Sequence, residues 1–248
     1  MKKFGLIGHP IAHSLSPALF KAAYDGKYAY DLIEGEDFET SYRRFIEEYD
    51  AINVTAPFKE AAFAKADILS EECASTGATN LLVKTPEGIK AYNSDFLGVR
   101  MWLSEVTEDL KGVKILIVGL GGAGKAAAAA AESLGMDVIR MNRTVRDSRT
   151  LPLDKFRECL READIMIYNI PAAIPELKEL TDSDFNEDKP KLILEANYKD
   201  PSLREMMESF GSKAVYTGGE TWLLYQAMTG YKILTGEKPD LTKMSDVL

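Results

Sequence analysis

Gly119-Leu120-Gly121-Gly122-Ala123-Gly124 has the spacing G-x-G-x-x-G. Before it, Val113-Lys114-Ile115-Leu116-Ile117-Val118 reads as a continuous buried strand. After it, the alanine-rich stretch Lys125 to Leu134 reads as a helix. In that setting the glycines permit a tight turn, and backbone amides at the helix N-terminus can approach a pyrophosphate. The spacing alone also suits a purely structural glycine turn; the strand-turn-helix context is what favours a dinucleotide. The next strand, Asp137 to Met141, discriminates between cofactors. An acid at its end would hold a ribose 2′-hydroxyl. Asn142-Arg143-Thr144 stand there instead, with Arg146 close behind. A guanidinium fork beside a hydroxyl suits a 2′-phosphate, although a solvated basic turn would have the same composition. NADP is the expected cofactor, contacted by Gly119, Gly121, Gly122, Ala123, Asn142, Arg143 and Thr144.

Other chemistries find little material. His9 and His13 are the only histidines, and Cys73 and Cys159 lie far apart with no CxxC pair. Neither a metal site nor a disulfide framework is expected, and a reducing cytoplasm is the natural setting. A net charge of -9 leaves no basic excess for a general nucleic-acid binder. The start Met1-Lys2-Lys3 resembles a charged signal, but the apolar run Phe4 to Ile7 ends at Gly8-His9-Pro10. That is too short for a signal core. The longest apolar stretch, Ala126 to Ala131, cannot span a bilayer. With 46% hydrophobic and 28% charged residues, an ordinary soluble globular protein is expected.

The positioning elements follow from periodicity. Phe4 to Gly8 reads as a strand. Ser16-Pro17 opens a helix to about Tyr24, with Ser16 as N-cap and Pro17 in the first position. Tyr28 to Ile33 and Ala51 to Thr55 are further strands, and Phe38 to Tyr49 has helical spacing of its apolar residues. A helix is expected from about Phe58 to Leu69, then a hairpin of Asn80 to Lys84 with Ile89 to Tyr92 around Pro86-Glu87-Gly88. A helix from about Asp95 to Leu103 leads into a polar link, Ser104 to Gly112. Beyond the glycine motif, Ile165 to Tyr168, Leu192 to Glu195 and Ala214 to Tyr216 are strand candidates. The alternation defines an α/β class. Two domains with a cleft between them are expected: an N-terminal α/β substrate domain over 1–103, and a Rossmann-type NADP-binding domain over 104–219. The C-terminal helix and tail, 220–248, are expected to return to the first.

Further segments carry a resemblance. Gly8-His9-Pro10-Ile11-Ala12-His13-Ser14-Leu15-Ser16-Pro17, Asn53-Val54-Thr55-Ala56-Pro57-Phe58-Lys59, Gly77-Ala78-Thr79-Asn80, Asn93-Ser94-Asp95-Phe96-Leu97-Gly98 and the Gln226-Ala227 end of Gly219 to Gln226 occur in that order. Together with Gly119 to Ala126 and Asn142-Arg143-Thr144, this chain resembles the shikimate dehydrogenase family along nearly its whole length.

The resemblance implies NADPH-dependent reduction of 3-dehydroshikimate to shikimate, a step towards chorismate and the aromatic amino acids. It implies that Ser14 and Ser16 hold the substrate carboxylate. Thr55, Asn80 and Gln226, with Lys59 and Asp95, would surround the ring hydroxyls and the reacting carbonyl. Lys59 and Asp95 would be the catalytic pair, and Tyr198 would match the family's tyrosine in its D-x-x-Y-x-P segment. These roles are physically sensible. Hydride delivery to a ketone builds negative charge on oxygen, which a lysine ammonium stabilises and protonates. Lys59 would lie in the first turn of a helix, where the dipole disfavours a cation; Asp95 would also suit a helix N-cap. Some positions depart from the family. Asn169-Ile170-Pro171-Ala172-Ala173 replaces its N-A-T-x-x-G-M loop, Glu195 stands where aspartate is usual, Lys199-Asp200-Pro201 alters the next segment, and Trp222 replaces a methionine. Two other readings stay open: a broader quinate/shikimate dehydrogenase, and a noncatalytic sensor of NADP or shikimate-like ligands. The partners expected are small molecules, with neither nucleic acid nor membrane, and a homodimer is left open.

Overall fold

The apolar run after Lys3 becomes β1 (Lys3–Gly8), buried from Phe4 onward. It lies inside a six-stranded sheet of the first of two units in the computed structural model, which describes residues 2–186 and 188–248. The first unit holds the chain up to Gly98 together with Leu224–Leu248; the second is Val99–Leu223. Met1 and Glu187, which fall within the limits drawn from sequence, lie outside the described residues.

In the first unit β1 is followed by α1 (Ser16–Ala23), β2 (Ala29–Glu34), α2 (Phe38–Glu48), β3 (Ala51–Val54), α3 (Lys59–Ala64), β4 (Ile68–Leu69), α4 (Glu71–Thr76), β5 (Leu81–Thr85), β6 (Gly88–Tyr92) and the start of α5 (Ser94–Val106), which runs on into the second unit after Gly98. The sheet order is β2-β1-β3-β5-β6-β4. Strands β1, β2 and β3 run parallel, and β5 reverses against β3 as one arm of the expected hairpin. Asp37 caps α2, its carboxylate accepting from the Glu39 and Thr40 amides. Phe38 and Phe45 of that helix pack with Ile7, Ile33, Ile52 and Val54 in the core.

Two local expectations are corrected. Ser16 is not the cap of α1: the N-cap is Leu15, which makes no side-chain cap bond. Ser16 is the first helical residue, and its amide donates to Ser14 Oγ at 3.2 Å. The helix expected over Phe58 to Leu69 ends at Ala64. Asp67 takes the chain into the sheet instead, its amide donating to the Ile89 carbonyl at 2.9 Å while its carboxylate accepts the Ile89 amide at 2.8 Å. Sheet pairing of β4 with β6 overrides the local helical pattern.

The second unit contains β7 (Lys114–Val118), α6 (Gly122–Ser133), β8 (Asp137–Met141), β9 (Thr150–Leu151), α7 (Phe156–Glu162), β10 (Ile165–Tyr168), β11 (Lys191–Glu195), α8 (Arg204–Ser209) and β12 (Ala214–Thr217). Its sheet is parallel throughout, in the order β12-β11-β10-β7-β8-β9. Counted from β7, that is the doubly wound order 3-2-1-4-5-6 read from the other edge. The direction of winding changes between β7 and β10, where ligands bind in such sheets. Leu116, Val118, Phe156, Met166, Tyr168 and Ile193 form the centre of its core.

Helix α9 (Gly219–Thr235) starts in the second unit and ends in the first, followed by α10 (Leu241–Ser245). Tyr231 of α9 is almost fully buried, its ring edge-on to Phe20 of α1 at 4.8 Å. Among the described residues no helix is long and apolar enough to cross a membrane.

Candidate active site

The sheet of the first unit gathers the polar motifs at one edge. Ile7 pairs with Val54, Asn53 with Leu81, and Leu81 with Tyr92. The ends of β1, β3 and β6 and the start of β5 therefore lie side by side. The loop after Gly8, residues Thr55 to Phe58, Asn80 and Asn93 to Asp95 all leave from that edge. Backbone bonds tie them: Thr55 N to Ile7 O at 2.8 Å, Val54 N to Asn80 O at 2.8 Å, and Asn80 N to Tyr92 O at 3.2 Å. Gly8 permits the closest approach, since a Cβ there would lie 2.4 Å from Thr55 Cγ2.

Lys59, the first residue of α3, is ion-paired with Asp95 in the first turn of α5. The lysine side chain is 22% exposed and the aspartate 9%. Asp95 is not the helix cap. Asn93 does that work, its Oδ1 accepting the Phe96 amide at 3.2 Å while its Nδ2 donates to Thr76 Oγ1 and to the Ala78 carbonyl.

Beside the pair runs a chain of amide and hydroxyl contacts. Asn80 Nδ2 donates to Ser94 Oγ at 3.0 Å, the Ser94 amide donates to Asn80 Oδ1 at 2.7 Å, and Ser94 Oγ donates to Gln226 Oε1 at 3.2 Å. Gln226 thus meets a residue 132 positions earlier in the chain. Gly98 makes this possible, because a Cβ there would lie 2.6 Å from Gln226 N. Ser94, fully buried, is the residue that sequence reasoning misses; a small hydroxyl in the middle of a motif carries no signal of its own.

Ser14 and Ser16 stand at the start of α1. The Tyr231 hydroxyl donates to the Ser16 carbonyl at 3.0 Å, and Tyr30 donates to Asn53 Oδ1 at 2.8 Å. Burial, with Tyr231 nearby, pushes the Tyr30 phenol well above its usual range. Neither tyrosine stands out in the sequence.

The second unit carries the cofactor motif. Gly119 follows β7 with φ +87°, a backbone conformation that favours glycine. Its amide donates to the Met141 carbonyl at 2.8 Å. Gly121 caps α6, and Gly122 begins the helix, earlier than the sequence-derived start at Lys125. A Cβ on Gly124 would lie 1.8 Å from the Gly119 carbonyl oxygen, whereas one on Gly121 would meet nothing within 4 Å. The third glycine is therefore needed for closure of the turn, and the middle one leaves space over the helix N-terminus. A pyrophosphate fits that cradle. Asn142 joins the turn to the end of β8, its Oδ1 accepting the Leu120 amide at 3.5 Å and its Nδ2 donating to the Thr144 carbonyl at 3.2 Å. Arg143 and Thr144 are exposed. Ala123 lies in the first turn of α6. Tyr198 belongs to this unit, on the loop after β11; burial raises its phenol pKa. Among the described residues no group of three or more His, Cys, Asp or Glu could hold a metal ion.

A parallel sheet of this order, with a glycine turn at its switch point, defines a dinucleotide-binding unit. Comparison with known proteins narrows the class. Residues 6–82 match the family described as shikimate dehydrogenase substrate binding domain, and residues 89–194 match D-isomer specific 2-hydroxyacid dehydrogenase, NAD binding domain. The chain is 30% identical to a shikimate dehydrogenase (NADP(+)) of Thermotoga maritima, over 93% of this chain and 92% of that protein. It is 32% identical to one of Staphylococcus aureus, over 98% and 96%. The crystal structure of shikimate 5-dehydrogenase from Thermus thermophilus in complex with NADP(H) and shikimate superposes with a TM-score of 0.82 at 27% identity, covering 100% of this chain and 98% of that one. This chain belongs to the shikimate dehydrogenase family.

Proposed function

We propose that this protein reduces 3-dehydroshikimate to shikimate, using NADPH as hydride donor, on the route to chorismate and the aromatic amino acids. NADPH supplies the hydride that reaches the ring carbonyl carbon. The chain's own residues hold the substrate and supply the proton. Lys59 stabilises the negative charge growing on the carbonyl oxygen and transfers a proton to it. Asp95 holds the lysine in place and compensates its charge. Asn80, Gln226 and Thr55 orient the ring hydroxyls, Ser14 and Ser16 hold the carboxylate, and Tyr198 is a further substrate-binding residue. Arg143 and Thr144 select NADPH through its 2′-phosphate.

The observation that carries the reading is the Lys59–Asp95 pair beside the Asn80–Ser94–Gln226 contacts. A proton-donating cation and a row of alcohol-binding groups stand at one sheet edge, in a chain whose relatives are NADP-dependent shikimate dehydrogenases. The two cysteines are unpaired, which supports a reducing cytoplasm as the setting. The test is turnover of shikimate with NADP by the purified protein, followed through the reduced nicotinamide. Turnover is expected. Shikimate binding without turnover would favour the sensor reading instead.

A further inference from the structure

Glu195, the last residue of β11, is fully buried. Its Oε1 accepts from the Ser202 amide at 2.7 Å and the Ser202 hydroxyl at 3.0 Å. Its Oε2 accepts from the Leu203 amide at 3.2 Å and the Tyr216 hydroxyl at 2.7 Å. A buried carboxylate is costly unless its lone pairs are satisfied, and here the far end of the following loop, with β12, satisfies them. Burial, then Glu195 itself, pushes the Tyr216 phenol well above its usual range, so its O–H remains a donor.

The loop closed in this way, residues 196–203, carries Tyr198. Two other fixtures act on it. Asn197 Oδ1 accepts from the Lys199 amide at 3.2 Å and the Asp200 amide at 3.4 Å, while its Nδ2 donates to the carbonyls of Asp200 at 2.6 Å and Pro171 at 3.3 Å. On the other side, a Cβ on Gly219 would lie 2.6 Å from both Asn197 C and Tyr198 N. The first residue of α9 is thus the backbone surface against which Tyr198 is set.

We propose that Glu195 is a positioning residue for Tyr198: its carboxylate clasps Ser202 and Leu203, closes the loop, and holds the tyrosine where substrate meets it. Glutamate at this position reaches one methylene further than aspartate would, spanning the turn made by Lys199 and Asp200. The inference rests on the reading of Tyr198 as a substrate contact.

The test compares wild type, Glu195→Gln, Tyr198→Phe and the double variant in the full chain. An amide side chain keeps the size of Glu195 but cannot accept from all of these donors. Glu195→Gln is expected to raise the shikimate KM about tenfold, the scale of one lost charge-assisted hydrogen bond, with kcat within about threefold. The Kd of NADPH, read by fluorescence titration, stays within about twofold on the same argument. Tyr198→Phe raises the same KM, and the double variant is no worse than the worse single one, because residues acting through one another are not additive. Hydrogen exchange at the Ser202 and Leu203 amides speeds up in Glu195→Gln, while the β7 and β10 amides stay protected. Faster exchange with an unchanged KM, or a double variant whose losses multiply, would overturn the proposal. Should Glu195→Gln not fold, Tyr216→Phe removes one donor of the clasp and carries the same comparison. A wild type without shikimate turnover would instead overturn the functional reading, and calorimetric shikimate Kd values across the same variants then decide the clasp.

Discussion

The Lys59 ammonium is ion-paired with Asp95, a residue 36 positions later in the chain, and both side chains spring from the first turn of a helix. A helix N-terminus favours an anion and disfavours a cation. Asp95 is therefore favourably placed on α5 and Lys59 unfavourably on α3, and the carboxylate offsets the lysine's poor position. The pair is partly open to solvent, the lysine more than the aspartate.

Removing that ammonium separates chemistry from binding. Lys59→Ala is expected to lower kcat about a hundred- to ten-thousand-fold, the usual worth of general acid catalysis. The shikimate KM changes less, because the charge Lys59 meets develops only in the transition state. Steady-state kinetics with a thermal melt as folding control decide it. A kcat near the wild-type value would remove Lys59 from the mechanism.

The glycines of the turn make opposite demands. Gly124→Ala would press a methyl into the Gly119 carbonyl, while Gly121→Ala has open space around it. Gly124→Ala is expected to lower Tm, with a cost of about 1 to 3 kcal/mol from overpacking. Gly121→Ala keeps the wild-type Tm and weakens NADPH binding, since the added methyl occupies the space above the helix N-terminus. Calorimetric melts and cofactor titrations read the two effects separately; an unaltered NADPH Kd in Gly121→Ala would contradict the cradle.

Features with strong local or motif signals are legible in the sequence. The β7 strand, the glycine turn and the β5–β6 hairpin announce themselves through apolar runs and turn residues. The break between α3 and α4 does not, because it is made by the pairing of Asp67 and Ser70 with residues of β6, which lies more than a dozen residues downstream. The cap of α1 is misleading because a serine before proline reads as a cap, yet Ser16 is already helical and Ser14 receives its amide. Ser94 is silent in the sequence, and Glu195 registers there only as a departure from a family pattern. The reason is shared: their importance lies in partners such as Gln226 and Tyr216, which no spacing rule connects to them.

Cofactor choice tests Arg143. An exposed guanidinium after β8 is suited to a 2′-phosphate, and loss of a hydrogen bond to a charged group costs about 1.5 to 3 kcal/mol. Arg143→Ala is expected to raise the NADPH KM accordingly and to spare NADH, which lacks that phosphate. Equal KM values for the two cofactors in the wild type would remove the basis for the assignment.

The last prediction concerns acid stability and belongs to Asp184. Its side chain is fully buried, accepting from Arg157 Nε and Arg161 Nε at 2.7 Å each and from the Thr181 amide at 2.8 Å. Burial alone would raise its pKa, but Arg157, Thr181 and Arg161 outweigh that and hold it at about 2, below its ordinary 3.8. Between those two values the unfolded chain binds more protons at this site than the folded one, so stability rises with pH across the window. The contribution is complete above about pH 4 and is lost as pH falls towards 2, amounting to about 2 kcal/mol. Other carboxylates titrate in the same range, so the informative quantity is the difference between wild type and Asp184→Asn in urea unfolding. That difference is expected to be full at pH 6 and to shrink steadily below about pH 4, because protonation of Asp184 in the wild type removes the charge the variant already lacks. A gap that stays constant down to about pH 2 would show that Asp184 stabilises this unit by packing and neutral hydrogen bonds rather than by its charge.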